Sequence, residues 1–119
     1  MRGYRIIGSQ QVPTRTLTSA RRAAAQAARL LGVRARLRWI APTDTNTADV
    51  RHGADVLGLA KRSGDVFLRA DLAPRYAAEV AAHEVRHVWQ WAVGAALTDA
   101  DAEFDADAFA RRLLSGRYR

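Results

Sequence analysis

The sequence predicts an α+β domain spanning residues 1–119, with an N-terminal helix, a small mixed β-sheet, a long helix and a C-terminal helix. Three observations predict it. Apolar residues recur at three- and four-residue spacing in three separate stretches, as on helices with one buried face. Residues 33–40 alternate apolar residues with arginine, the period of a half-buried strand. Two short runs, residues 55–60 and 65–70, flank Ser63-Gly64, a turn pair that reads as a hairpin. At 119 residues and 49% hydrophobic, the chain suits one core of ordinary size.

Residues 3–8, which include Ile6 and Ile7, can form a short strand, and Pro13 marks a turn after it. Thr18 or Ser19 can then cap a helix over Ala20–Leu31, closed by Gly32. Ala23, Ala24, Ala27, Leu30 and Leu31 form its apolar face. The strand Val33–Ile40 follows, with Val33, Ala35, Leu37 and Trp39 opposite Arg34, Arg36 and Arg38, and Pro42 ends it. Residues 43–53 are polar and read as a loop. His52 in that loop is either solvent-facing or a functional candidate, since imidazole changes charge near neutral pH. Gly58 inside the next strand implies close approach of another backbone or tight packing on a helix. In the first case an extended peptide would pair along this strand.

Pro74 opens the long helix, Pro74–Val93, and Gly94 stops it. Thr98 caps the last helix, Asp99–Ser115, and Asp99 and Asp101 suit the positive end of its dipole. Ala106, Phe109, Ala110, Leu113 and Leu114 form the apolar face of this helix.

Composition removes several function classes. There is no cysteine, so disulfides and thiolate metal sites are excluded. No run approaches the ~18 apolar residues of a membrane span, and the N-terminus lacks an apolar signal core. The expected location is the cytoplasm. The net charge is +7, and residues 1–43 hold nine arginines and no acid. That half of the chain is either an anion-facing surface or the product of arginine-rich coding bias, since all basic residues but Lys61 are arginine.

The chemistry gathers at His83-Glu84-Val85-Arg86-His87, a His-Glu-x-x-His pattern within the long helix. Residues four apart on a helix lie ~40° apart around the axis and ~6 Å along it. His83 and His87 therefore present two imidazoles to one ion. Glu84 stands beside them, placed to take a proton from a metal-bound water. Glu79, one turn earlier, is either exposed or a candidate partner for His83. A second acidic stretch, Glu103-Phe104-Asp105-Ala106-Asp107, lies on the last helix. Glu103 falls at the edge of the buried face, where a carboxylate needs a compensating partner, and a zinc ion on the two histidines supplies one. Asp107, one turn on, can accept a hydrogen bond from the free ring nitrogen of a ligating histidine. By helical phase, Asp101 and Asp105 point towards solvent.

On these residues the chain resembles the gluzincin class of zinc metallopeptidases, which pair His-Glu-x-x-His with a glutamate ligand in Glu-x-x-x-Asp or Glu-x-x-Ala-Asp on a following helix. The run from Glu103 to Leu114 looks like the glutamate helix of ImmA/IrrE-type peptidases. Ala82 to Gln90 looks like small bacterial minigluzincin-type domains. The likeness covers about residues 54–114. It implies a zincin-like fold, a Zn2+ cofactor held by His83, His87 and Glu103, Glu84 as general base, and hydrolysis of a peptide or protein substrate. Arg86 stands where many relatives carry glycine or another small residue. Larger relatives use a downstream tyrosine or histidine for the oxyanion, and Tyr118 lies in that direction. The other expectation, from a different functional class, is a latent or inactive domain that keeps the zinc fold and binds nucleic acid or an acidic protein through its arginine-rich half.

Overall fold

A computed structural model describes residues 5–42 and 57–116. The loop read at residues 43–53, with His52, lies outside the described residues. So do Tyr118 and the first residues of the strands read at 3–8 and 55–60.

In chain order the elements are β1 (Ile6–Ile7), a 3-10 turn (Ser9–Gln11), α1 (Thr14–Leu31), β2 (Arg36–Ile40), β3 (Gly58–Ala60), β4 (Asp65–Arg69), α2 (Pro74–Ala92) and α3 (Asp99–Leu114). The four strands make one mixed sheet in the order β1-β2-β4-β3. The central pair is parallel, with Leu37 beside Val66 and Trp39 beside Leu68. The β3–β4 pair is the antiparallel hairpin read from the sequence. Among the described residues β3 is an edge strand.

One sheet face carries Trp39, Val66 and Leu68 into a core shared with α1 and α2. The contact between these helices is lined by small residues, Ala20, Ala23, Ala24 and Ala27 with Ala77, Ala78, Ala81 and Ala82. Small side chains at a helix crossing bring the axes close, so the histidine-bearing helix packs closely on α1.

Most boundaries differ from the sequence reading by a residue or a few, and two of the differences have a visible cause. The first helix begins at Thr14, not Ala20, and neither Thr18 nor Ser19 caps it. The hydroxyls of the first turns bond elsewhere. Thr16 donates to the Leu72 carbonyl at 2.7 Å and Ser19 to the Pro74 carbonyl at 2.7 Å, tying α1 to the start of α2. The strand read over Val33–Ile40 pairs only from Arg36, because its parallel partner starts at Asp65. Other signals hold. Gly32 closes α1 at φ 69°, Pro74 occupies the first turn of α2, and the Thr98 hydroxyl accepts from the Asp101 N–H at 3.1 Å.

Candidate metal centre

Helices α2 and α3 are joined by a short connection and pack side by side. Residues four apart on α2 and four apart on α3 thereby face each other. His83 and His87 turn their Nε2 atoms inward, 3.1 Å apart. Glu103 of α3 sets Oε1 3.1 Å from His83 Nε2 and Oε2 2.7 Å from His87 Nε2. One donor atom from each of the three side chains lies within 4.8 Å of the others, a group that could hold a metal ion. Nitrogen and oxygen donors at about 2.0–2.2 Å from one tetrahedral ion stand roughly 3.3 Å apart. The observed separations need little adjustment to meet that spacing, so the donor set fits.

The outer ring nitrogens are also engaged. His83 Nδ1 lies 2.7 Å from Asp107 Oδ1, the role the sequence assigned to Asp107. His87 Nδ1 lies 2.8 Å from Gln90 Oε1. Both imidazoles thus have an acceptor on Nδ1, which leaves Nε2 of each for a metal. Sequence reasoning gave Gln90 no role. The signal was available: Gln90 lies one turn after His87 on the buried side of α2, and a buried amide requires partners. It is 5% exposed.

Asp105 corrects the phase argument. It does not point into solvent. Arg86 donates to it from Nε at 2.7 Å and Nη2 at 3.1 Å, and Gln90 Nε2 donates at 2.9 Å. These bonds, Arg86 first, outweigh partial burial and hold the Asp105 carboxyl below the usual carboxylate range. The helical wheel placed Asp105 off the apolar stripe of α3, but long polar side chains of α2 reach across to it. Asp101 is exposed, as the phase implied. Glu103 stands further out than the edge of the buried face, with a side chain 61% exposed.

Glu84 is buried beside the triad. Burial, and then the charges of Glu103 and Asp107, push its carboxyl from 4.5 up to about 8. It lines a cleft of about 310 Å³ with Leu57, Gly58, Tyr76, Glu79, Val80, His83 and Asp107. Glu79 is half-buried there, and no bond joins it to His83. Tyr76 is a wall residue of this cleft that the sequence reading did not single out.

Gly58 explains how the sheet edge meets this cleft. A Cβ at that position would lie 2.6 Å from Val80 Cγ1 and 3.3 Å from Glu84 Cγ. Of the two explanations the sequence left open for Gly58, packing against a helix is present here. No helix of the described residues is long and apolar enough to cross a membrane. No protein-family model matches the chain, and neither does any curated protein or solved structure.

Proposed function

We propose that the protein is a zinc-dependent peptidase of the gluzincin type, with a zincin-like fold, acting in the cytoplasm on peptide or protein substrates. The observation that carries this reading is one juxtaposition. A buried carboxylate, Glu84, adjoins three convergent donors, His83, His87 and Glu103, in a cleft open beside an edge strand. A zinc ion on those donors would supply polarisation of a carbonyl and a more acidic water. The rest is the work of this chain's own residues. Glu84 accepts the proton of the attacking water and delivers it to the departing amine. Its burial raises its affinity for a proton, the direction a base requires, while a nearby dication acts in the opposite sense. Asp107 and Gln90 hold the two rings in place by accepting at Nδ1. An extended substrate backbone would lie along β3, an edge strand among the described residues.

The test is cleavage of a mixture of unfolded polypeptides, followed by mass spectrometry, for parent and Glu84→Gln proteins loaded with equal zinc. The variant is expected to bind zinc and lose about 10²–10⁴ in rate. A variant as active as its parent, or a zinc-loaded parent that cleaves nothing, would sink the reading.

One observation favours a second reading, a binding module. Arg15, Arg21, Arg22 and Arg29 of α1 are exposed and have no ion-pair partner among the described residues. Arg15, Arg22 and Arg29 recur every seven residues, so they share one stripe along the helix. Such a stripe suits a polyanion. Salt-sensitive nucleic-acid binding that is indifferent to Glu84→Gln and lost on charge reversal along α1 would favour it.

A further inference from the structure

We propose that Asp105 and Arg86 set the metal affinity of this site without touching the metal, by fixing the amide of Gln90 and through it the ring state of His87. The inference rests on the reading of His83, His87 and Glu103 as ligands.

Gln90 Nε2 meets two groups, the Ala102 carbonyl at 3.0 Å and Asp105 Oδ2 at 2.9 Å. Both can only accept, so the nitrogen end of the amide belongs there. The oxygen end must then face His87 Nδ1, at 2.8 Å. An amide oxygen only accepts, so Nδ1 carries the proton. A neutral imidazole has one ring proton, which leaves the lone pair on Nε2. That is the atom turned towards His83 and Glu103.

Reversing the Gln90 amide would undo each step. Its nitrogen would donate to Nδ1 and drive the ring proton to Nε2, where it blocks a metal. Its oxygen would face a carboxylate and a carbonyl. The Ala102 carbonyl belongs to the backbone of α3, but Asp105 is a side chain and must itself be held. Arg86 does this with two parallel bonds, at 2.7 and 3.1 Å. The guanidinium lies over the Trp89 ring, 3.8 Å from its centroid, and 4.9 Å from that of Phe109. A planar fork fixed over aromatic rings presents bidentate geometry that a small residue cannot reproduce. His83 has no such relay, since Asp107 accepts from it directly.

The experiment is a competitive zinc titration of five proteins: parent, Gln90→Leu, Arg86→Leu, Asp105→Ala and the double variant Asp105→Ala/Gln90→Glu. Circular dichroism confirms the fold of each. Gln90→Leu should weaken zinc binding by about 10–100-fold, and Asp105→Ala and Arg86→Leu by several-fold to about 10-fold. The double variant is the discriminating one. A carboxylate at position 90 has oxygen at both ends, so it accepts from His87 in either orientation and needs no Asp105 to select one; its second oxygen faces the Ala102 carbonyl, and the Arg86 guanidinium released from Asp105 is the cation that offsets this. Its zinc affinity should return to within about 3-fold of the parent, which lost packing alone would not allow. Long-range 1H–15N spectra of the metal-free parent should show the His87 ring proton on Nδ1, protected by its bond to Gln90, and those of Gln90→Leu should lose it. Parent-like affinity in Asp105→Ala, or a double variant no better than the single one, overturns the relay while leaving the metal site standing. A parent that takes up no zinc overturns both.

Discussion

Glu84 is held in the fold at a cost, and the cost can be measured. In the metal-stripped protein its carboxyl is raised from 4.5 to about 8. The folded state therefore keeps a proton over a range where the unfolded state has lost it. Because the folded state binds more protons there, stability is fully present below pH 4.5 and falls as pH rises through 8. At pH 7 the unfolded carboxyl has gained about 2.5 pH units of ionisation that the folded one has not. At about 1.4 kcal/mol each, this amounts to roughly 3 kcal/mol. Glutamine is nearly isosteric and has no proton to lose, so Glu84→Gln should abolish this slope. The assay is urea unfolding of parent and variant in a chelating buffer at pH 5 and pH 8. Taking the variant-minus-parent difference at each pH cancels other titrating groups and any fixed cost of a buried amide. The difference should grow in favour of the variant by about 3 kcal/mol between the two, equivalent to roughly 10 °C in Tm for a domain of this size. Zinc should shrink it, since a dication near Glu84 stabilises the ionised form. Parallel stability curves for the two proteins across this range would refute the reasoning.

Other outcomes follow from the geometry. Glu103→Ala should cut zinc affinity sharply while leaving the metal-free fold intact, because its side chain is 61% exposed; isothermal titration and a thermal melt check both halves. Asp107→Ala should cost about 10–100-fold in zinc affinity through loss of the His83 Nδ1 acceptor, read by the same titration. Gly58→Ala should destabilise by about 1–3 kcal/mol in urea unfolding, as overpacking does, since its Cβ would meet Val80 at 2.6 Å.

The histidine pair was legible in the sequence because it depends on helical spacing alone. A four-residue interval pairs His83 with His87, and another pairs Glu103 with Asp107, whatever else the chain does. The N-terminus of α1 was not legible. Thr18 and Ser19 look like caps in one dimension, but a hydroxyl near a helix start serves equally to tie two helices, and Thr16 and Ser19 do that. Asp105 failed for a related reason. Helical phase reports which side of a helix is apolar, not which charged side chain a neighbouring helix extends towards it. Arg86 could be seen as unusual in the sequence, but its partner lies on the other helix. Gly58 carried two meanings until Val80 and Glu84 were found against it.

The short connection between α2 and α3 has a kinetic consequence. The three candidate ligands and the hydrogen-bonded residues behind them, Arg86, Gln90, Asp105 and Asp107, all lie between His83 and Asp107 on two adjacent helices. Closing such a loop costs little chain entropy, and local contacts form early in folding. The central strand pair must instead bring Leu37 to Val66 from distant parts of the chain. The helical hairpin is thus expected to gather its ligands before the sheet is complete. A metal ion present during folding would then act as a clamp on the nascent hairpin, and refolding should be faster with zinc than in chelator.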